Sequence, residues 1–258
     1  MLNFKSINSI CIGVLVAISI VEYFYGFTIL PYLILGGFWL CITTIGSFNI
    51  QWNYYIKSLN YNSKTTKNQV AITFDDGPNP EFTPQVLTLL NKYNAKATFF
   101  CIGKQVEKHP NIIKAILKEN HSIGNHTYSH ANSYGFYKTK KVISDLQLTN
   151  KIIEAQTNLK LKLFRPAFGV TNPRIKRALK ATKLKAIGWN KRSLDTTNLN
   201  QKTILNRITK NLKKGDVILL HDTSAKSIAV LEQLLLFLQQ QKIESVTIDT
   251  LFNIEAYV

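Results

Sequence analysis

The sequence predicts an α/β protein whose parallel sheet closes, or nearly closes, into a barrel, preceded by a helical hairpin in a membrane. Three observations predict this class. Short β-rich segments alternate with helical ones from Gln69 to the C-terminus, which favours parallel strands. The 258-residue length favours a barrel over a two-domain doubly wound sheet. Two long apolar runs precede the alternating region and predict the hairpin.

The apolar runs cover residues 9–21 and 27–48. About 20 apolar residues span a bilayer, a length that the second run has and that the first reaches if it continues to Gly26. A cleaved signal peptide needs a basic start and a small-residue cleavage site, which one lysine followed by two long runs fits poorly. We therefore expect residues 1–58 to be a membrane anchor of two transmembrane helices, joined by a turn near 26–31.

The side of the membrane is less constrained by the sequence. Two spans return the chain to the side of its N-terminus. Lys5 on one flank and Lys57, Lys64 and Lys67 on the other would place both flanks in the cytoplasm by the positive-inside bias. A single span, with the other run lying in the interface, would reverse this orientation. We expect an integral membrane protein on either reading.

The charge is concentrated after the apolar runs. Residues 1–60 have a net charge of +1 and the rest of the chain +16. This excess suits phospholipid headgroups, nucleic acid or an acidic polymer, and equally a surface that is merely rich in lysine. The lysines show no aromatic–basic alternation, so nucleic acid is not an expected partner. The three cysteines form no CxxC motif and predict no disulfide framework.

We assign residues 66–256 to the domain that follows the anchor. Helical periodicity lies between its strands, and Pro84 and Pro110 mark the first turns of two helices. Four later helices are predicted at 138–156, 173–182, 201–212 and 225–241. Seven strands are predicted at 70–74, 97–101, 121–125, 161–165, 184–189, 216–220 and 244–248.

Most of the notable polar residues follow predicted strand ends. In parallel barrels the chemistry gathers at the C-terminal ends of the strands, so we expect these side chains to meet. They are Asp75 and Asp76 after the first strand, His126 and His130 after the third, Arg165 at the end of the fourth, Trp189 and Asp195 after the fifth, and His221 and Asp222 after the sixth.

The histidine pair and the aspartate pair suggest a metal site. His126 and His130 are four residues apart, so on a helical turn their imidazoles would share a face. Two histidines and one carboxylate leave an open position for water, as in catalytic zinc sites. Adjacent residues on a strand point to opposite faces, so Asp75 and Asp76 are expected to have different roles.

Other polar residues have a structural reading beside the functional one. We expect Arg165 to orient an aspartate through a paired hydrogen bond rather than to be a surface cation. Asp222 is expected to cap the following helix, whereas His221 is assigned to the site. His109, before a helix, and His121, at a strand start, are expected to be structural.

Residues 68–250 resemble the polysaccharide deacetylase family, the carbohydrate esterases that share the NodB-homology domain. The motifs TFDDGP, NHTYSH, RPAFG and LLHD occur in that family's order and roughly its spacing. The resemblance implies a distorted (β/α)7-type barrel (NodB-like) and a divalent metal ion, usually zinc. It also implies hydrolysis of an N-acetyl group, sometimes O-acetyl or N-formyl, on a sugar.

By position, the resemblance implies that Asp76, His126 and His130 hold the metal. It implies that Asp75 is the general base for the attacking water and that Arg165 pairs with Asp75 and keeps it ionised.

The same resemblance implies that His221 is the general acid and that Asp195 sets its pKa. The backbone N–H of Phe168 would hold the oxyanion, and Leu219 would line the acyl pocket. The segment WNKRSLDT departs from the family's frequent Asp-x-x-Asp-Trp, with Arg192 at the first Asp and Thr196 at the Trp. This departure bears on substrate preference more than on catalysis.

The predicted function is metal-dependent hydrolysis of an N-acetyl group on an amino-sugar-containing glycan, in the cell wall, exported or lipid-linked. The alternatives are deformylation of a lipid-linked amino sugar and a catalytically silent glycan-binding domain. A binding module needs no base and acid around a metal, so the retained motif residues favour an enzyme. The expected partners are the glycan or lipid-linked sugar and the membrane.

Overall fold

The computed structural model describes residues 3–26 and 28–258. It opens with two apolar helices, α1 (Phe4–Tyr25) and α2 (Leu30–Phe48), which lie antiparallel. The indole Nε1 of Trp39 donates to Asn8 Oδ1 (2.8 Å), and at the other end the hydroxyls of Ser19 and Tyr32 are 3.2 Å apart. The two helices therefore form the expected hairpin; Phe27, in its predicted turn, lies outside the described residues.

Both helices are long and apolar enough to cross a membrane. Few of their side chains are buried within the protein, which distinguishes them from the core helices of a soluble domain. A membrane anchor and a signal sequence both have this length and hydropathy.

Eight strands form a parallel sheet in the order β5-β4-β3-β2-β1-β7-β6, with β8 pairing beside the start of β1. Because β5 and β6 are the two ends of this order, the barrel is incomplete between them, which confirms the predicted distorted barrel. The strands are β1 (Gln69–Asp75), β2 (Ala97–Cys101), β3 (Ser122–Asn125), β4 (Leu163–Phe164), β5 (Lys185–Ala186), β6 (Lys191–Arg192), β7 (Val217–His221) and β8 (Glu244–Ser245).

Helices connect the strands, and the six predicted in this domain are present. The short α4 and α10 were not predicted, nor was the two-residue strand β6. The predicted last strand is wrong beyond Ser245, because Thr247 caps α10 by accepting a hydrogen bond from the N–H of Thr250. The helices are α3 (Thr83–Lys92), α4 (Gly103–Lys108), α5 (Pro110–Lys118), α6 (Thr139–Thr157), α7 (Pro173–Thr182), α8 (Gln201–Thr209), α9 (Ala225–Gln240) and α10 (Ile248–Phe252).

The alternation along β1 determines what each face of the sheet meets. Val70, Ile72 and Phe74 belong to the apolar cluster shared with the outer helices, whereas Ala71 belongs to the cluster inside the barrel. Burying a large apolar side chain contributes roughly 1.5–3 kcal/mol, so this register is strongly specified. Asp75 shares the face of Ala71 and therefore points into the barrel.

The hairpin packs against the domain that follows it. The N–H of Phe4 donates to the carbonyl of Tyr54 (3.0 Å), and the N–H of Thr171 donates to the carbonyl of Ser47 at the end of α2 (2.8 Å). A side chain larger than hydrogen at Gly46 would clash with the ring of Tyr54. The ends of α1 and α2 are therefore fixed to the domain by backbone hydrogen bonds and close packing.

The prediction that Asp222 caps the following helix is wrong. Ser224 is the N-cap of α9, where its hydroxyl accepts from the N–H of Ser227. The Asp222 side chain instead turns into the protein, where it is fully buried and accepts a hydrogen bond from the hydroxyl of Thr83. Burial raises the pKa of Asp222 to about 7.

Candidate active site

Asp75 and Asp76 diverge at the end of β1. Asp75 is the last residue of the strand, and its side chain is buried in the barrel. The chain then turns at Asp76, whose φ is 75°, in the left-handed region. The turn directs the Asp76 carboxylate toward His126 and His130, so the two aspartates face different partners.

Asp76, His126 and His130 form a group that can hold a metal ion. Each histidine Nε2 lies 3.4 Å from Oδ1 of Asp76, and the three ligand atoms are all within 4.8 Å of one another. Oδ1 of Asp76 is buried and has no hydrogen-bond donor among the described residues. Nδ1 of His126 lies 2.8 Å from the carbonyl of Arg165, so Nδ1–H donates there and Nε2, which faces Asp76, is the atom that can bind a metal. These observations fit a divalent cation.

The electrostatics of the group also favour a cation. Burial opposes ionisation of Asp76, but the close approach of His126 and the charges of His126, His130 and His221 hold its pKa well below the usual range. Burial lowers the pKa of His126, yet Asp75 and Asp76 raise it above the ordinary value. The site therefore attracts positive charge, either as a proton or as a metal ion.

The spacing of the two histidines predicts that they share a helical turn, but in the structure they do not. Residues 126–130 form a loop in which Thr127 (φ 67°) and His130 (φ 47°) are left-handed. Oδ1 of Asn125 accepts from the N–H of Thr127 (2.8 Å), and the Thr127 hydroxyl accepts from the N–H of His130 (3.1 Å). These side-chain hydrogen bonds replace the helical ones and still bring the imidazole centroids within 4.9 Å.

Arg165 is fully buried and holds Asp75 in place. Its Nη1 donates to Oδ1 of Asp75 (2.8 Å) and to the hydroxyl of Thr73 (2.7 Å), and its Nη2 donates to the carbonyl of Gly188 (2.8 Å). Its guanidinium carbon lies 4.1 Å from the centre of the Phe100 ring. The pairing is thus a single hydrogen bond rather than the expected paired one, because backbone and hydroxyl acceptors take the other donors.

His221 and Asp195 form a second hydrogen-bonded pair. Nδ1 of His221 lies 2.7 Å from Oδ1 of Asp195, and its Nε2 lies 3.9 Å from Oδ2 of Asp76. The hydroxyls of Ser193 and Ser227 also donate to Asp195 (both 2.8 Å). Burial lowers the pKa of His221, but the hydrogen bond and charge of Asp195, with the other aspartates, raise it to about 9.

A cavity of about 240 Å³ is lined by Asp75, the partner of Arg165, and by His221, the partner of Asp195. Arg165 and Asp195 are buried behind it, each against the residue that it orients. Arg192 and Thr196, the departures from the family pattern, also line it. Seven of the nine predicted site residues line the cavity: Asp75, Asp76, His126, His130, Phe168, Leu219 and His221.

The sequence did not identify Thr73, Ser193 or Ser227 as parts of the site. Thr73 precedes Asp75 by two residues on the same face of β1, a spacing that could have placed it beside Arg165. Ser193 lies two residues before Asp195, whereas no local pattern connects Ser227 with Asp195. His121, expected to be structural, accepts from the N–H of Ala97 (3.3 Å) far from the cavity, and burial lowers its pKa to about 4.

Comparison with known proteins identifies the family. A polysaccharide deacetylase family model matches residues 62–187. A peptidoglycan-N-acetylglucosamine deacetylase of Bacillus cereus is 38% identical over 189 residues, which cover 71% of this chain and 88% of the relative. The chain belongs to the polysaccharide deacetylase family. It is a hydrolase of carbon–nitrogen bonds of the polysaccharide deacetylase type.

Solved structures agree in fold. The structure of peptidoglycan deacetylase PdaC from Bacillus subtilis is similar with a TM-score of 0.69 and 31% identity, covering 73% of this chain and 91% of that one. A CE4 family pseudoenzyme from Bacillus anthracis, BA3943, is similar with a TM-score of 0.67 and 27% identity, covering 72% and 66%. Because one of these similar structures is a pseudoenzyme, the fold alone does not establish the reaction, which has to be argued from the site residues of this chain.

Proposed function

We propose that this protein is a membrane-anchored, metal-dependent deacetylase that hydrolyses the N-acetyl group of an amino sugar in a glycan. The observation that carries the proposal is the position of the Asp76, His126 and His130 group between two oriented titratable groups, Asp75 and His221. The relatives named as peptidoglycan deacetylases support the same substrate class.

Amide hydrolysis explains this division of roles. An amide carbonyl is a poor electrophile and an amine a poor leaving group, so the reaction needs an electrophilic catalyst, an activated water and a proton donor. A divalent ion supplies Lewis acidity when bound. Zinc suits a site of two histidines and one carboxylate. We assign its ligands to Asp76, His126 and His130.

The remaining residues provide the proton transfers. Asp75, positioned by its hydrogen bond from Arg165, takes a proton from the water whose oxygen bonds to the acyl carbon. When the carbon–nitrogen bond breaks, Nε2 of His221 gives its proton to the amine, so that acetate and a free amino sugar leave. The backbone N–H of Phe168 is assigned to the oxyanion and Leu219 to the acyl pocket.

Removal of the metal tests the proposal. We expect the purified full-length chain in detergent to contain about one zinc per protein and to release acetate from chito-oligosaccharides and from peptidoglycan. A chelator should abolish release, and added zinc should restore it. Absence of bound metal together with release of neither acetate nor formate would contradict the proposal and favour the glycan-binding alternative. Release of formate alone would identify a deformylase.

Loss of the Asp195 charge should change the pH profile. Asp195, together with Asp75 and Asp76, raises the pKa of His221 to about 9, which keeps the proposed acid protonated at neutral pH, and Asp195 makes the largest of these contributions. Asp195→Asn removes that effect, so the alkaline limb of kcat/KM should move to lower pH by roughly 1–3 pH units. Ser227→Ala, which deletes one hydrogen bond to Asp195 but keeps the charge, is the control and should move the limb much less. An unchanged limb in Asp195→Asn would exclude His221 as the acid.

We further propose that residues 1–58 are the membrane anchor and 66–256 the catalytic domain. The two apolar helices and the +16 charge of residues 61–258, which suits an anionic lipid surface, support this arrangement. Protease accessibility of the domain in sealed vesicles would establish its side of the membrane.

A further inference from the structure

A second cavity lies between the end of the hairpin and the loops beside the active site. Its volume is about 550 Å³, within the range of roughly 300–1,000 Å³ that is usual for small-molecule sites. We call it the hairpin groove. It shares one wall with the active-site cavity, because Phe168 lines both. Its walls include Thr44, Ser47 and Phe48 from α2, Phe136 after β3, and Phe168 and Asn172 after β4.

The groove offers mainly apolar contact. Phe48, Phe136 and Phe168 are 66%, 81% and 47% exposed, an apolar patch larger than scattered surface residues give. Two of the polar side chains in its walls already have partners within the protein. The Asn172 amide caps α7 and donates to the carbonyl of Gly135 (2.8 Å), and the Ser47 hydroxyl donates to a carbonyl of its own helix. An occupant would therefore meet mainly aromatic rings, with Thr44 and Asn132 as the other polar side chains in the walls, which suits a hydrocarbon better than a sugar.

The position of the groove favours an occupant from the bilayer. The 19 residues of α2 make a helix of about 28 Å, close to the roughly 30 Å thickness of bilayer hydrocarbon. If α2 spans the membrane, Phe48 at its end lies at the interface. A groove built on that end opens where lipid chains are available.

One cation lies at the edge of the groove. The guanidinium of Arg174 donates from Nη1 to the carbonyl of Phe136 (2.9 Å) and forms no ion pair among residues 3–26 and 28–258. An arginine with donors to spare suits a phosphate. The groove therefore combines apolar walls, a neighbouring cation and a wall residue, Phe168, that it shares with the catalytic cavity.

We propose that the hairpin groove binds the hydrocarbon chain of a polyprenyl-phosphate-linked amino sugar, which is the substrate. Arg174 would contact the phosphate, and the acetamido group would reach the active-site cavity past Phe168. An ordinary phospholipid carries no acetamido group to place in the active-site cavity. Because the groove and that cavity share Phe168, a lipid-linked amino sugar could occupy both, so we favour it as the occupant. This inference rests on the proposed deacetylase function and on the proposed anchor.

Filling the groove should affect one class of substrate only. Thr44→Trp places a large side chain in the groove from an exposed position, and Ile45→Trp, at the next and also exposed position outside the groove, is the matched control. With the full chain in phosphatidylcholine nanodiscs, Thr44→Trp should raise KM for polyprenyl-phosphate-linked N-acetylglucosamine at least tenfold. It should leave KM for soluble chitotetraose unchanged, and Ile45→Trp should change neither. Equal effects on both substrates, or no effect, would overturn the proposal.

A binding measurement separates this proposal from the proposed function. A photoreactive polyprenyl phosphate should label peptides containing residues 132–136 or 168–172, and Thr44→Trp and Arg174→Gln should reduce the labelling. If photoreactive phosphatidylglycerol labels the same peptides and the lipid-linked sugar does not displace it, the groove binds bulk lipid and the proposal is wrong. If no substrate releases acetate, the proposed function fails, whereas the labelling still reports whether the groove binds a polyprenyl chain.

Discussion

Asp75→Asn is expected to lower kcat for acetate release by about 10²–10⁴-fold, the usual contribution of a positioned base. The substitution keeps the size of the side chain and an oxygen that can accept from Arg165 at the present 2.8 Å. It removes the carboxylate charge that pairs with Arg165 and, with it, the ability to take a proton from water. Metal content and thermal stability measured beside kcat should show that the proposed ligands and the fold remain.

A matched control is available in Asp222. Its carboxyl group is also buried, but it lies outside the active-site cavity, and its pKa of about 7 means that an amide of the same size replaces a group that is about half protonated at neutral pH. Asp222→Asn should therefore retain kcat within a few-fold. An Asp75→Asn enzyme as active as this control would exclude Asp75 as the base.

Arg165→Met is expected to lower the free energy of unfolding by about 3–5 kcal/mol, the usual cost of removing one partner of a buried ion pair. Methionine can keep the apolar contact with Phe100, but it leaves the buried Asp75 carboxylate and the Gly188 carbonyl without their donor. For a domain of this size the loss corresponds to a fall in Tm of about 10 °C, measured by thermal unfolding in detergent.

A double-mutant cycle identifies the cause. In an Asp75→Asn background the buried carboxylate charge is already gone, so Arg165→Met should cost markedly less than it does in the wild-type chain. The same loss in both backgrounds would mean that packing around Phe100, and not the ion pair, accounts for the stability.

The sequence predicted the features that depend on local pattern. Alternation along β1 and the rule that adjacent strand residues diverge anticipated that Asp75 and Asp76 face different partners. Motif spacing likewise anticipated that His126 and His130 meet. Periodicity was sufficient here because each feature lies within one strand or one short segment.

Features that depend on contacts between distant segments could not be predicted in this way. Asp222 stands before a helix, as an N-cap would, but the hydroxyl of Thr83, far away in sequence, holds its side chain inside the protein. One local feature was also missed: in the NHTYSH loop the side chains of Asn125 and Thr127 accept hydrogen bonds from the N–H groups of Thr127 and His130, which helical spacing does not reveal. The packing of Tyr54 on Gly46 depends on a chain reversal with no local signature.

The hydrogen bonds from Phe4 to Tyr54 and from Thr171 to Ser47 have a consequence for where the enzyme can work. They brace the barrel against the hairpin at two places, one of them three residues after Phe168, so the domain is not suspended on a flexible tether. With the hairpin in a bilayer, the catalytic mouth stays at one height and one tilt. Encounters between enzyme and substrate then depend on lateral diffusion in the lipid bilayer. This gives a membrane-held substrate a high effective concentration and leaves distant polymer out of reach.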